Sequence, residues 1–183
     1  MIEETVRTLK TGGTILYPTD TIWGLGCDAT NEDAVRKIYA LKNREDSKSL
    51  IILIDHVQRL SQYLTHIPPG ALELIEAANK PLTLIYPDAS GLAANVLAED
   101  GSVAIRIARH AFCEQLIASF GKPIVSTSAN ISGQPYPVTF DEVSPDILNG
   151  VDYVVNLPTE ISNPKPSTII KLDRQGNQTL IRP

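Results

Sequence analysis

The sequence predicts a single α/β domain with a twisted, mixed β-sheet flanked by helices. Apolar segments that favour strands alternate with amphipathic segments that favour helices along nearly the whole chain. A length of 183 residues, with 43% hydrophobic and 20% charged residues, is ordinary for one domain with a substantial core. The strands are too many and too unevenly spaced for a simple flavodoxin-like order, so a mixed sheet is expected.

The individual elements follow from local sequence patterns. Residues 14–17 are an apolar segment that ends at Pro18, which is typical of a strand. Residues 31–41 repeat apolar side chains at helical spacing, and Asn31 is suited to cap that helix. Further helices are predicted at residues 57–64, 69–78, 111–119 and 141–149. Further strands are predicted at residues 50–54, 81–86, 102–108, 123–127, 152–156, 167–172 and 179–182, and a loop at residues 88–100.

Composition limits the possible partners and compartment. The formal net charge of −5 disfavours broad binding to a phosphate backbone, although a few inward-facing cations are enough to hold a nucleotide. No apolar run approaches the roughly 20 residues that cross a bilayer, and the N-terminus lacks a secretory signal pattern. We therefore expect a cytoplasmic protein with no membrane contact. Cys27 and Cys113 lie outside any metal-binding motif and are expected to be buried, free thiols.

Common catalytic and nucleotide-binding motifs are absent from the sequence. It has no GxxxxGKS/T phosphate loop, no GxSxG elbow and no HExxH metal motif. Gly24-Leu25-Gly26 lacks the third glycine of a dinucleotide fingerprint. The sequence therefore identifies no metal ligand, and any site must be found from other patterns.

Polar residues two apart at the end of a predicted strand indicate a pocket. Ser126, Ser128 and Asn130 share one face if the chain stays extended, because alternate side chains of a strand point the same way. Two hydroxyls and an amide on that face would line a binding site. The alternative is a Ser- and Asn-rich turn before Gly133.

Cations follow the helix predicted at residues 31–41. Lys42 and Arg44 are two apart, and Lys48 comes shortly after them. Several donors of this kind suit a triphosphate, whose charge is spread over many oxygens. The alternative is that Lys42 and Arg44 only favour the C-terminal end of a helix.

One strand carries an arginine on a face of small residues. Ser102, Ala104 and Arg106 alternate with apolar residues of the strand predicted at 102–108. Such an arginine is suited to bind a carboxylate through two parallel hydrogen bonds. The alternative is an arginine at the edge of the sheet that faces water.

A second alternating segment follows Pro18. Thr19, Thr21 and Trp23 would share a face of an extended chain. Gly24 and Gly26 come next and would permit a ligand to approach the backbone closely.

Together these segments resemble the YrdC family, the threonylcarbamoyl-adenylate synthases of tRNA modification. The resemblance runs from about residue 10 to the C-terminus and rests on short motifs. These are Tyr-Pro-Thr-Asp-Thr-Ile-Trp-Gly-Leu-Gly at 17–26, Lys-Asn-Arg at 42–44, Ser-Thr-Ser-Ala-Asn-Ile-Ser-Gly at 126–133, Pro-Ser-Thr at 166–168 and Ile-Arg-Pro at 181–183. The resemblance implies the short, single-domain form of the family, with its sheet around a concave, positively lined cavity.

The resemblance also implies a reaction. The family's enzymes are nucleotidyltransferases that join L-threonine, bicarbonate or CO₂, and ATP into threonylcarbamoyl-AMP and pyrophosphate. ATP is then a substrate, and Mg²⁺ is expected with it. The product serves the t6A modification at position 37 of tRNA, where TsaD, TsaB and TsaE are possible downstream partners.

The resemblance implies roles for twelve residues. The tetrad around the nucleotide phosphates, which we treat as catalytic, is Lys42, Arg44, Ser128 and Asn130. Further contributors to ATP binding are Lys48, Ser102, Tyr136 and Arg182. The residues expected at threonine are Thr21, Arg106, Ser126 and Ser167, with Arg106 on the carboxylate.

Four features depart from the family pattern and affect mainly threonine recognition. Trp23 stands where Tyr is common, and Leu53 stands where many members have His. Asn-Lys-Pro-Leu-Thr at 79–83 replaces Pro-Gly-Pro-Leu-Thr, and Ala108 replaces a proline. Two alternatives to the leading function therefore stay open. One is an RNA-binding module of the same fold without the chemistry, and the other is an adenylate-forming enzyme with a different acceptor.

Overall fold

The computed structural model describes residues 1–43, 50–157 and 165–183. In these ranges nine strands form one sheet, flanked by six α-helices and three short 3₁₀ helices. The α-helices are α1 Ile2–Lys10, α2 Glu32–Lys42, α3 Leu60–Tyr63, α4 Ala71–Ala77, α5 Ala111–Phe120 and α6 Pro145–Gly150. The strands are β1 Ile15–Tyr17, β2 Gly24–Gly26, β3 Ile51–Ile54, β4 Leu82–Tyr86, β5 Val103–Ile107, β6 Ile124–Ser128, β7 Tyr153–Val154, β8 Thr168–Leu172 and β9 Gln178–Arg182. The 3₁₀ helices are Val57–Arg59, Ala94–Val96 and Phe140–Glu142.

The sheet is mixed, as the uneven spacing of the strands predicted. Its strand order is β7-β1-β2-β6-β3-β5-β4-β8-β9. The pairs β1–β7, β3–β5 and β4–β8 are parallel, and the other pairs are antiparallel. Strands distant in sequence thus become neighbours, and β5 lies inside the sheet between β3 and β4.

Most predicted elements are confirmed within a few residues, but two were missed. Helix α1 buries Val6 and Leu9 on one side, a pattern that was present in the sequence. Strand β2 has two glycines in its three residues, so no strand propensity indicated it. The predicted cap of α2 is confirmed, because the Asn31 side chain accepts hydrogen bonds from the backbone N–H groups of Asp33 and Ala34.

Two predicted helices are each divided in the structure. The segment predicted at residues 57–64 is a 3₁₀ turn followed by α3. The segment predicted at residues 141–149 is interrupted at Val143, and Ser144 then caps the separate helix α6 through the N–H group of Ile147. A serine followed by proline starts a new helix here, because both residues favour the first turn.

The two faces of the sheet pack against different apolar clusters. The larger cluster joins one face to α2, α3, α4 and α6, and the smaller joins the other face to α1 and α5. Neighbouring residues of one strand divide between them: Val125 belongs to the larger cluster and Ile124 to the smaller. Both cysteines are buried and free, as predicted. Within the described ranges, no helix is long and apolar enough to span a membrane.

Gly26 allows three strands to pack closely at the centre of this arrangement. The Tyr17 hydroxyl on β1 donates to the Val125 carbonyl on β6, 3.1 Å away, and β2 lies between them. A Cβ atom on Gly26 would lie 2.7 Å from both Tyr17 Cε1 and the Val125 oxygen. The expectation that Gly26 permits approach of a ligand is therefore wrong, because a tyrosine ring occupies that space.

We expect Gly26→Ala to lower the free energy of unfolding by about 1–3 kcal/mol, because a methyl group has no room there. Gly24→Ala is the matched control on the same strand, since its added carbon would meet only a threonine methyl group at 3.3 Å and more distant atoms. Urea unfolding of both variants measures the difference. Equal stability of the two variants would contradict the packing described here.

Candidate active site

A cavity of about 360 Å³ lies on the sheet face that also carries the α1–α5 cluster. On β3, on β6 and on β5 with the residue after it, one face passes within two residues from the apolar cluster to the cavity lining. Leu53, Ile124 and Ala108 belong to the apolar cluster, whereas Ile51, Ser126 and Arg106 line the cavity. The lining residues are Thr19, Thr21, Ile22, Gly24, Leu50, Ile51, Ile85, Ala104, Arg106, Ser126, Thr127, Ser128, Tyr136, Pro166, Ser167, Ile169, Ile181 and Arg182.

Arg106 is the buried cation of this cavity. Its side chain is 4% exposed, and it extends from the interior strand β5. Its Nη1 donates to Thr21 Oγ1 at 3.0 Å, and its Nη2 lies 3.3 Å from Asp20 Oδ1. Ala104 lines the cavity beside it, so the predicted face is confirmed for Ala104 and Arg106, and an arginine that faces water at the sheet edge is excluded.

A second arginine enters the cavity from the last strand. Arg182 donates through Nε and Nη2 to the Ser167 carbonyl, at 2.9 and 2.8 Å. The Ser167 hydroxyl lies 2.7 Å from the buried hydroxyl of Thr83 on β4. Burial lowers the pKa of Arg182, and the positive charge of Arg106 lowers it further. Two guanidinium groups in one cavity make it a favourable place for an anion.

Two of the three residues predicted on the serine face line the cavity, and the third does not. Ser126 and Ser128 line the cavity with Tyr136, whereas the Asn130 side chain donates to the carbonyls of Ile131 and Gln134. Asn130 therefore shapes the turn after β6. The extended strand and the turn predicted as its alternative are thus each partly correct, because the chain is a strand through Ser128 and a turn after it.

Lys42 is buried rather than exposed at the end of its helix. Its Nζ donates to the carbonyls of Ser128 and Asn130, at 2.5 and 2.7 Å. Its own carbonyl accepts from the N–H group of Ser132. These bonds fix the segment after β6 to the end of α2. The phosphate contacts predicted for Lys42 and Asn130 stay predictions, and neither residue is among those that line the cavity.

Ser102 directly precedes β5, and its hydroxyl binds a carboxylate of the protein. It donates to Asp100 Oδ1 at 2.5 Å, and Lys171 Nζ lies 2.6 Å from Asp100 Oδ2. Hydrogen bonds from Lys171, and then from Ser102, lower the pKa of Asp100 to about 2. Ser102 is not among the residues that line the cavity, and its predicted contact with ATP stays a prediction.

The departures from the family pattern lie away from the cavity lining. Trp23 belongs to the larger apolar cluster and packs against Phe140, with ring centroids 5.2 Å apart. The predicted alternation is therefore wrong at Trp23, because the chain bends at residues 20–22 and Ile22 lines the cavity instead. Leu53 and Ala108 are buried in the α1–α5 cluster.

Two of the predicted cations, Arg44 and Lys48, lie outside the described residues. Among the described residues, the cations that line the cavity are Arg106 and Arg182. In residues 1–43, 50–157 and 165–183 there is no group of three or more His, Cys, Asp or Glu that could hold a metal ion. Thr83 and Asp20 were not predicted as site residues, although each lies beside one that was.

Comparisons with known proteins agree with this architecture. The model of the Sua5/YciO/YrdC family, described as "Telomere recombination", matches residues 7–183. The chain is 34% identical over 184 residues to a threonylcarbamoyl-AMP synthase of Vibrio campbellii, covering 95% of this chain and 98% of that protein. It is 37% identical over 170 residues to one of Hahella chejuensis, covering 92% of this chain and 91% of that protein.

A solved structure with bound amino acid is also similar. P. abyssi Sua5 complexed with L-threonine matches with a TM-score of 0.90 and 30% identity. The match covers 100% of this chain and 53% of the Sua5 chain. The chain therefore spans about half of that protein but nearly all of the two bacterial relatives.

We expect Lys42→Met to lower the free energy of unfolding by about 1–3 kcal/mol, because the half-buried Asn130 carbonyl loses this donor and, among the described residues, the Ser128 carbonyl keeps only the N–H group of Asn130. Lys37→Met is the control on the same helix, since Lys37 Nζ donates to the Gly12 carbonyl at an exposed position. The control should lose at most about 1 kcal/mol. Denaturant unfolding compares them, and equal losses would show that the buried ammonium group is not needed for stability.

Proposed function

The chain belongs to the Sua5/YciO/YrdC family, and from that premise we propose that it is a threonylcarbamoyl-AMP synthase. It joins L-threonine, bicarbonate or CO₂, and ATP into threonylcarbamoyl-AMP and pyrophosphate. Two arginines, Arg106 and Arg182, in one hydroxyl-lined cavity support this proposal most directly. A cavity of about 360 Å³ falls within the range of small-molecule sites.

The threonine end of the cavity lies at Arg106. A buried guanidinium with hydrogen-bonding capacity left suits a carboxylate, which accepts two parallel bonds from it. Thr21, Ser126 and Ser167 add hydroxyl groups that are nearly buried in the same cavity. Short hydroxyl side chains are suited to bind the hydroxyl and amino groups of a small amino acid, since each both donates and accepts.

The nucleotide end lies toward Ser128, Tyr136 and Arg182. Arg182 provides the positive charge that a phosphate needs, and Tyr136 is partly exposed at the cavity. The tetrad proposed around the phosphates is Lys42, Arg44, Ser128 and Asn130, and Lys42 also holds the Ser128 carbonyl. Lys48 and Ser102 stay predicted ATP contacts. Mg²⁺ is proposed to arrive with ATP, where it would neutralise phosphate charge.

The chemistry needs positioning more than a protein nucleophile. The threonine nitrogen, as the free amine, bonds to the carbon of CO₂ while the electrons of one C=O π bond move to oxygen. The nitrogen then loses a proton to water, which gives a carbamate. A carbamate oxygen then bonds to the α-phosphorus of ATP, and the bond from that phosphorus to the bridging oxygen breaks, so pyrophosphate leaves. Holding the carbamate and α-phosphate together, with cations around the phosphates, supplies most of the catalysis.

The wider setting of the reaction belongs to the same proposal. The product would serve the t6A modification of tRNA position 37, with TsaD, TsaB and TsaE as downstream partners and a cytoplasmic location. Direct RNA binding is secondary in this proposal, since the net charge of −5 disfavours contact with a phosphate backbone.

Pyrophosphate release from ATP with bicarbonate, measured with and without L-threonine, tests the proposal. We expect release that depends on threonine. Release that depends on another amino acid instead would favour an adenylate-forming enzyme with a different acceptor. No release from folded protein, together with salt-sensitive RNA binding that ATP does not displace, would favour the RNA-binding alternative.

We expect Arg106→Lys to raise the KM for threonine about 10- to 100-fold, because lysine keeps the charge but loses the two parallel hydrogen bonds. The KM for ATP should change much less. Arg36→Met is the control, since Arg36 is an exposed member of an i,i+3 ion pair on α2. Steady-state kinetics with each substrate varied gives both constants, and equal increases for threonine and ATP would contradict the placement of Arg106 at threonine.

A further inference from the structure

Asp20 is a buried carboxylate whose role the proposed function does not use. Its side chain is 9% exposed, and both of its oxygens are buried without a hydrogen bond from any described residue. Oδ1 lies 3.3 Å from Nη2 of Arg106, which is an ion-pair distance. Removing a carboxylate from water without hydrogen bonds costs several kcal/mol, so its position calls for a compensating charge. Arg106 provides that charge.

The bend that carries Asp20 also carries the other partner of Arg106. Thr21 Oγ1 accepts from Arg106 Nη1 at 3.0 Å, so consecutive residues contact the two terminal nitrogens of the guanidinium. Thr19 fixes this bend, because its hydroxyl donates to the Ile22 carbonyl and accepts from the N–H groups of Thr21 and Ile22. Since the Thr19 proton is used on Ile22, the Thr21 hydroxyl donates to Thr19 and keeps a lone pair for Arg106.

Asp20 lies behind Arg106 and outside the cavity. Thr19, Thr21 and Ile22 line the cavity, whereas Asp20 is not among the lining residues. The Cys113 thiol on α5 donates to the Pro18 carbonyl at 3.4 Å, so the chain just before Asp20 lies against the α1–α5 cluster. A ligand in the cavity therefore meets the guanidinium and not the carboxylate behind it.

We propose that Asp20 is a positioning residue that, with Thr21, fixes the Arg106 guanidinium so that its remaining N–H groups serve the carboxylate of the amino-acid substrate. This inference rests on the proposed function, which places an amino acid at Arg106. Asp20 also balances the buried positive charge of Arg106, with which it forms an ion pair.

Removal of the Asp20 charge should weaken amino-acid binding and leave ATP binding nearly unchanged. Asn has nearly the same shape as Asp but no charge, so Asp20→Asn removes the ion pair of Arg106 and leaves its hydrogen bond to Thr21. In that variant the Arg106 side chain must be fixed when the amino acid binds. The lost side-chain entropy should weaken amino-acid binding about 2- to 10-fold.

Calorimetry of L-threonine binding to the full chain tests this expectation. Asp20→Asn should raise the Kd for threonine about 2- to 10-fold and the Kd for ATP less than about 2-fold. Asp28→Asn is the matched control, because Asp28 is a buried aspartate paired with Lys122 away from the cavity. It should destabilise the fold without changing the Kd for threonine. An unchanged Kd in Asp20→Asn, or an equal rise in Asp28→Asn, would overturn the inference.

A thermal unfolding cycle gives a readout independent of ligand. Asp20→Asn and Arg106→Met each leave one buried charge unpaired and should each lower Tm, whereas the double variant should recover at least half of the summed loss. Additive losses would overturn the pairing of Asp20 with Arg106. Failure of the wild-type protein to bind threonine would instead overturn the proposed function, so the two failures are distinguishable.

Discussion

The guanidinium of Arg106 is the constraint on which the site depends. A cation that is almost completely buried requires both a countercharge and hydrogen-bond acceptors near it. The bend between β1 and β2 supplies them from consecutive residues, Asp20 and Thr21. Arg106 extends from β5 to this bend, although β6 and β3 lie between β2 and β5 in the sheet. One side chain therefore connects the two parts of the sheet that form the site.

The cavity exists because side chains of different size occupy one face of the sheet. Where β3 and β6 carry Leu53 and Ile124, helices α1 and α5 cover the face and exclude water. Two residues along, Ser126 on β6 and Ala104 on β5 are short, and no apolar cluster of the described residues fills the space above them. A two-residue period thus positions both the core and the site. The same strands that stabilise the fold present the polar groups to a ligand.

Much of the fold and part of the site could be predicted from these patterns. Ser126, Ser128 and Arg106 were predicted to face a pocket because strand alternation is a local property, and all three line the cavity. Trp23 was placed wrongly, since the bend at residues 20–22 reverses the alternation and no sequence pattern indicated it. Burial of Lys42 depends on contacts with a segment some 86 residues away, which periodicity cannot show. Asp20 was missed for the same reason, because its partner lies on β5.

A crystal structure of the protein with L-threonine and a non-hydrolysable ATP analogue would test the central claim most directly. We expect the threonine carboxylate within hydrogen-bond distance of the Arg106 guanidinium, with Asp20 still behind it and the nucleotide phosphates toward Arg182 and Ser128. Threonine bound at Arg182, or outside this cavity with Arg106 contacting only protein groups, would contradict the assignment of the amino-acid site.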